Sequence, residues 1–321
     1  MRASDLVGRR VAVEVPATIA NLGAGYDCLG LAVDLGLRAD VEVVARDGGP
    51  AVQLEVTGEG VGEISTGRGN RLVEALEAGL RDRRVEPDPT VAWRIRMTNE
   101  IPLARGLGSS GAAAVAGLLA AEAFAGGPGG RGVPGADLDT LLDRATALEG
   151  HPDNVAPALL GGFVATLAPK AYRFDAPPEL RIVLYVPTLH LSTSRMRAAL
   201  PDSVPRADAV ANLARVAVGV AGIASGDWSV LARLTEDRLH EPYRARIYPQ
   251  LPIIATAARR AGALGACLAG GGSTIAAFCL GSAADVARIG EAMRAAAAAS
   301  DLPGAVRLAR ARNEGARILE G

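Results

Sequence analysis

Aromatic residues are scarce, 3% of a 321-residue chain, and lysine occurs once, at Lys170, among 34 basic residues. The first shortage leaves too few rings for the stacking platforms that grip single-stranded nucleic acid. The second excludes a Walker A phosphate loop, which needs a lysine after its second glycine. Charge of neither sign predominates: 34 basic and 35 acidic residues leave a net charge of −1. No global field is left to attract a phosphate backbone or an anionic leaflet, so neither nucleic acid nor membrane is expected as a partner. Cysteine is limited to Cys28, Cys267 and Cys279, odd in number and far apart. Such spacing suits reduced thiols in a cytoplasm better than a secreted disulfide framework. His151, His190 and His240 have no histidine partner one helical turn on and no neighbouring CxxC, which argues against a transition-metal site. Arg9, Arg10 and Glu14 interrupt the N-terminal region before an apolar core of a signal peptide can form.

What remains is an ordinary globular composition, 49% hydrophobic and 21% charged, long enough for about two domains. Such a chain buries a sizeable core without disulfides or metal clips. Strand character is predicted over 11–15, 39–45, 52–56, 91–97 and 163–167, and helical spacing over 70–80, 110–124 and 136–148. The glycine- and proline-rich stretch 126–135 reads as a surface loop, and Pro169, Pro177 and Pro178 mark the expected junction between domains 1–170 and 171–321. The second half alternates a strand at 182–186, helices near 207–224, 229–239 and 253–261, strands at 263–268 and 275–280, a helix at 283–298 and a strand at 305–309. Residues 261–284 are uncharged for longer than a bilayer requires, but six glycines with Ser273 and Thr274 make strand, glycine loop, strand the better reading. Strands and helices mixed without a strict βαβ rhythm predict an α+β fold with two layers per domain.

Four segments carry possible chemistry. Pro102-Leu103-Ala104-Arg105-Gly106-Leu107-Gly108-Ser109-Ser110-Gly111-Ala112 joins a strand to an apolar helix. Glycines allow close backbone approach, and the helix start offers unpaired N–H groups, so the segment is built to cradle an anion; a serine cap is the plainer alternative. The same residues match G-x-G-x-x-G, but no second strand ending in an acid follows the helix, so a dinucleotide fold is not supported. Asn21 and Asp27 flank the tight Gly23-Ala24-Gly25 turn and suit a small ligand with hydroxyl and ammonium groups, or else bond their own turn. Glu149-Gly150-His151-Pro152-Asp153-Asn154 gathers carboxylates, an imidazole and an amide before a short helix. Such a set fits Mg²⁺ and a transferring phosphoryl group, with an N-cap as the simpler role. Gly270-Gly271-Gly272 frees backbone amides to face a ligand or another loop.

In this order and at these separations the four segments resemble the galactokinase, homoserine kinase, mevalonate kinase and phosphomevalonate kinase (GHMP) superfamily, and most specifically its homoserine kinases. Leu191-Ser192-Thr193 with Arg197, and Glu241-Pro242-Tyr243-Arg244, extend the likeness. The resemblance implies a ribosomal-protein-S5-like N-terminal domain and a ferredoxin-like C-terminal domain, with ATP between them. It implies phosphorylation of the L-homoserine hydroxyl on the route to threonine, in the cytoplasm; a mevalonate- or shikimate-class kinase is the alternative. By resemblance Asn70 lies near adenine and Pro102 to Ala112 hold the phosphates, with Arg105 offsetting charge. Ser109, Ser110 and Glu149 hold Mg²⁺, with Asp143 in reserve, and Asn21, Asp27, His151, Asn154, Arg197 and Arg244 line the homoserine pocket. Asn154, Asp27, Glu149 and Ser110 form the catalytic set, Asn154 standing where mevalonate kinases have an aspartate base. A homodimer is an expectation of the resemblance alone. Ala269-Gly270-Gly271-Gly272-Ser273-Thr274 departs from the family's usual Ser-Gly-x-Gly-Pro-Thr by one hydroxyl and one proline.

Overall fold

The computed structural model describes residues 1–126, 138–167 and 170–320. The 126–135 loop past its first residue, the first two residues of the helix expected over 136–148, and Pro169 lie outside the described residues. A 3₁₀ turn (Ala3–Leu6) leads into β1 (Arg10–Ala20), β2 (Leu29–Ala45), β3 (Val52–Gly58), α1 (Arg71–Asp82) and β4 (Val91–Asn99). Then come α2 (Ser109–Phe124), α3 (Leu138–Glu149), α4 (Pro152–Leu160), β5 (Phe163–Leu167) and β6 (Lys170–Phe174). The second half holds β7 (Arg181–Pro187), α5 (Thr193–Ala198), α6 (Arg206–Ala224), a 3₁₀ turn (Trp228–Val230) running into α7 (Leu231–Leu234), and α8 (Glu241–Arg244). It closes with α9 (Gln250–Arg260), β8 (Gly265–Leu268), β9 (Ile275–Cys279), α10 (Ala283–Ala298), β10 (Gly304–Arg310) and β11 (Arg317–Glu320).

The first sheet runs β11-β1-β2-β4-β3, with β5 hydrogen-bonded to β2 and β6 to β5. Along β2 the residues Ala39, Val41 and Val43 turn inward while Asp40 and Glu42 face out, the period-two pattern of a sheet with one covered face. The cover is α2, buried at every position except Ser109, Ser110 and Ala123. A helix apolar all round belongs in a core, and glycine lets its neighbour come close: a Cβ on Gly117 would stand 2.2 Å from the Leu72 carbonyl oxygen of α1. The consequence for function is that α2 is held rigidly and only its polar first turn reaches solvent.

The second sheet is antiparallel, β10-β7-β9-β8, with α9 and α10 packed against it around Val183, Ile254, Ile275 and Ile289. This is the strand order of a ferredoxin-like βαββαβ unit in which α5 to α8 are inserted after the first strand. Three expectations need correction. A boundary at 170/171 would cut the β5–β6 hairpin, whose register pairs Leu167 with Lys170, and β11 returns to the first sheet beside β1, so that domain owns both ends of the chain. The helix expected over 229–239 stops at Leu234, because the Asp237 carboxylate accepts the amides of Leu239, His240 and Glu241 and turns the chain into α8. Strands β6 and β11 had no predicted counterpart.

Candidate active site

The first turn of α2 opens onto a solvent-open cleft in which polar groups converge. It is lined by Pro102, by every residue from Ala104 to Ser110, and by Asn21, Asp27, Glu149, His151, Asp153, Asn154, Thr193, Arg197, Arg244, Gly270 and Gly271. All four segments singled out in the sequence meet here. Gly108 sits before α2 with φ 72°, and the first helical bond runs from Ala112 N to Gly108 O, which leaves the amides of Ser109, Ser110 and Gly111 without helical partners. Leu107, 1% exposed, plugs the loop into the core, and its carbonyl accepts the Thr18 amide. On the other side Gly106 lies so close to the 269–272 turn that a Cβ there would be 2.0 Å from the Ala269 oxygen. The glycine-rich turn therefore braces the phosphate-loop candidate, and Thr274 N completes the join by donating to Arg105 O.

The opposite wall is made of charged side chains. Asn21 and Asp27 both adopt left-handed backbone, φ 71° and 56°, and the Asn21 side chain ties the turn together by accepting the Asp27 amide and donating to Gly270 O. Arg197, from the last turn of α5, forks onto the Asp27 carboxylate at 2.7 and 3.0 Å and donates to the Tyr26 hydroxyl at 2.9 Å. Hydrogen bonding to Asp27 raises the Arg197 pKa, whereas burial lowers that of Arg244, which is only 2% exposed. Arg244 donates to Gly270 O, to His240 Nδ1 and to Met196 O. Both guanidinium groups lie over the Tyr26 ring, 5.6 and 5.4 Å from its centroid. His151 Nδ1 bonds to Asp153 at 3.0 Å, and this bond raises the imidazole pKa. Between the walls, Asn154 Oδ1 accepts the Thr18 hydroxyl at 2.8 Å, which leaves the Asn154 amino group to face the cleft. Ser110 Oγ donates to Glu149 Oε2 at 2.8 Å beside the start of α2.

Four placements differ from expectation. Arg105 lines the cleft, but most of its guanidinium donors are spent on the carbonyls of Pro187, Leu103, Ala104 and Thr188, which clip the loop to the end of β7. Asn70 does not line the cleft; it caps α1 by accepting Leu72 N and donates to Ser65 O. Within the loop, Leu103, Gly111 and Ala112 also stand outside the lining, Gly111 because it packs on Val155 and Asn154 of α4. Asp143, the reserve carboxylate, is exposed on α3 and away from the cleft. Among the described residues no group of three or more His, Cys, Asp or Glu side chains could by itself hold a metal. Sequence reasoning missed Tyr26, which lay inside a segment already noted, and Thr18, His240 and Asp237, which did not. A lone hydroxyl in the apolar run from Val15 to Ala20 of β1 was the available signal for Thr18.

A family model described as the GHMP kinases N terminal domain matches residues 70–162, and one described as GHMP kinases C terminal matches residues 220–299. The chain is 40% identical over 311 residues to the homoserine kinase of Moorella thermoacetica, covering 96% of this chain and 99% of that one. To the homoserine kinase of Thermus thermophilus it is 43% identical over 266 residues, 82% of this chain and 85% of that one. Among solved structures it is similar to the homoserine kinase of Cytophaga hutchinsonii, with a TM-score of 0.82, 28% identity and 97% of each chain covered. It shares its fold with L. major mevalonate kinase at a TM-score of 0.67 and 16% identity, over 94% of this chain and 96% of that one.

Proposed function

Because the chain belongs to the homoserine kinases of the GHMP family, its reaction is the ATP-dependent phosphorylation of the L-homoserine hydroxyl to O-phospho-L-homoserine, and we propose that its cleft seats ATP along the 102–110 loop and homoserine in the charged pocket beside it. One observation carries this reading: the unpaired amides at the start of α2 and the Asp27, Arg197 and Arg244 side chains line a single cleft. The amides and the positive end of α2 take the phosphates without any lysine. Homoserine is a zwitterion, and the pocket offers both counter-charges. Arg197 and Arg244 receive the α-carboxylate and Asp27 the α-ammonium, the Asp27–Arg197 pair giving up part of its mutual bonding to the ligand.

The reacting hydroxyl is oriented by Asn154, whose amino group is fixed by the bond that its oxygen accepts from Thr18. An amide takes no proton, so the hydroxyl loses its proton late, to phosphate or solvent, and rate comes from positioning and electrostatics. Ser109 or Ser110 with Glu149 suit Mg²⁺, a hard cation that favours one carboxylate plus substrate phosphates. When bound, Mg²⁺ supplies neutralising charge for the β- and γ-phosphates. Asn70, at the head of α1, stays the residue assigned to the adenine side. The cytoplasm suits the three free cysteines.

For the homodimer, support comes from the outer face of α6, where Val210, Leu213 and Val218 are 57%, 69% and 62% exposed at helical spacing. The inner face of the same helix packs Asn212, Gly219 and Ile223 into the protein. Leu213→Glu should shift the sedimentation profile toward monomer. The function itself is tested by ADP release with L-homoserine, mevalonate and shikimate in parallel. Turnover confined to L-homoserine is expected; preference for either of the others would sink the substrate assignment.

A further inference from the structure

Arg244 is a fully buried cation whose usefulness depends on which of its N–H groups are still available. Both Nη1 hydrogens are committed, one to Gly270 O at 3.0 Å and one to His240 Nδ1 at 2.9 Å, and Nε points at Met196 O at 3.4 Å. Among the described residues Nη2 has no hydrogen-bond partner, and Arg244 lines the cleft. Accepting from Arg244 at Nδ1 fixes the His240 tautomer: the proton sits on Nε2, which donates to Gly23 O at 2.9 Å. His240 is 0% exposed and is held by its own backbone, since His240 N donates to Asp237 Oδ2 at 2.7 Å, while Asp237 also receives Asn212 Nδ2 and the amides that start α8.

We propose that His240 is the positioning residue for the carboxylate-binding arginine: as a neutral, single-tautomer acceptor it pins Nη1 of Arg244 and leaves Nη2 aimed at the substrate α-carboxylate. The proposal rests on the reading of Arg244 as a carboxylate ligand. A guanidinium with two free edges could turn away from the cleft toward backbone carbonyls; with Nη1 saturated it has one outward donor pair. The imidazole must stay uncharged for this, because a proton on Nδ1 would oppose the Arg244 N–H. Its surroundings agree. Asp237 faces it from the preceding turn and Arg244 from α8, while Tyr26, with ring centroids 5.1 Å apart, and Asp27 face it from the 21–28 loop. Burial, the largest influence, and the nearby Arg244 charge hold the imidazole pKa down at about 4 against the pull of Asp237.

Two substitutions separate this role from mere support of the fold. His240→Asn keeps an acceptor near the Nδ1 position and loses the Gly23 contact, whereas His240→Gln keeps a donor near Nε2 and loses the acceptor for Arg244. Expected for His240→Gln is a rise of about tenfold or more in the KM for L-homoserine with the KM for ATP unchanged, and for His240→Asn a change within about threefold. With L-homoserine methyl ester, which lacks the carboxylate charge, both should behave like the parent enzyme. In an Arg244→Lys background His240→Gln should add nothing further. A wild-type homoserine KM in His240→Gln, or equal losses on acid and ester there while Arg244→Lys still discriminates between them, would overturn the proposal alone. An Arg244→Lys enzyme that treats acid and ester alike would overturn the reading of Arg244, and this proposal with it. Melting temperatures recorded for each variant expose a folding defect, which predicts losses on every substrate.

Discussion

The two walls of the cleft are made of different material. The 102–110 side is backbone: glycines at left-handed φ, unpaired amides and a buried leucine plug, with the one arginine in the segment tied to the end of β7. The facing side is a mesh of buried or half-buried charge in which Asp27, Arg197, Arg244, His240 and Asp237 each bond to another side chain of the group or to Asn212. On the proposed reading, the ligand met in every kinase reaction, the triphosphate, is received by groups that no substitution of side chains can remove. On the same reading, the ligand that distinguishes one small-alcohol kinase from another is received by side chains, which can be exchanged. On this view the backbone wall is damaged by adding atoms, and the charged wall by removing or titrating them.

The largest loss is expected from adding one methyl group. A Cβ on Gly108 would stand 2.1 Å from Thr18 Oγ1 and 3.0 Å from Asn154 Oδ1, at a φ of 72° that alanine rarely adopts. Gly108→Ala should reduce kcat by roughly 10²-fold or more, with homoserine and ATP affected together, because it displaces the helix start and the hydroxyl-orienting amide at once. Gly150→Ala is the control. It shares a positive φ of 96° but has nothing within 4 Å, so it carries backbone strain without intrusion and should keep most activity. Equal losses in the two would mean that strain, and not the occupied space, governs the loop.

Next in size is Arg244→Lys. It replaces a planar fork by a single ammonium in a buried position and should lower kcat/KM for L-homoserine by about 2–5 kcal/mol, the usual cost of disturbing a desolvated charged pair. Arg197→Lys should cost less, about 1–2 kcal/mol, because that side chain is 36% exposed and screened by solvent. Methyl-ester substrate should shrink both losses. A smaller effect follows from Thr18→Val, which removes a fully buried hydroxyl at nearly constant volume. With Asn154 left free to rotate, kcat should fall by about tenfold while KM for homoserine stays near its parent value, and Asn154→Ala should show the same pattern more strongly. A KM effect in place of the kcat effect would assign Asn154 to binding alone.

The backbone wall was the more legible of the two in the sequence. Glycine spacing before an apolar helix states its own geometry, and α2 begins at Ser109 where a start at Ser110 was predicted. Polar residues inside motifs were found for the same reason: Asp27, His151 and Asn154 stand close to glycine or proline breaks that advertise a turn. What stayed hidden depends on tertiary placement. Arg105 reads as a phosphate ligand from its neighbours, and only the approach of Pro187 and Thr188 shows that its guanidinium also ties the loop to the end of β7. His240 looks isolated until the fold brings Gly23 and Arg244 to its two nitrogens. The hairpin strand β6 and the homeward strand β11 are five and four residues long, too short for alternation to give a signal, and their pairing partners supply what their own sequence does not.

The smallest predicted effect concerns pH and tests whether the charged wall is alone in carrying titration. Burial pushes the Glu241 carboxyl up to about 7, with Asp237 adding to the rise and the Leu268 amide, Arg259 and Arg244 opposing it. Between about 4.5 and 7 the folded chain therefore holds a proton at Glu241 that the unfolded chain has lost, and this group makes stability fall as pH rises through that window. His240 works in the other direction. Its pKa is held at about 4 in the fold, so between about 4 and 6.5 the unfolded chain binds the extra proton and stability rises with pH. The two slopes oppose each other at mildly acid pH, which gives the parent enzyme a flat profile there. Glu241→Gln keeps an oxygen to accept the Leu268 amide and removes only the titration. Relative to the parent, it should gain about 1–3 kcal/mol between pH 4.5 and pH 7.5 in urea unfolding, and its stability should climb up to about pH 6.5, above which His151, with its raised pKa, makes it fall again. Gly108→Ala, which adds a methyl and no titratable group, should run parallel to the parent across the same series. A Glu241→Gln profile parallel to the parent would mean that the carboxyl titrates normally, and the charged wall would then owe its pH response to His240 and Asp237.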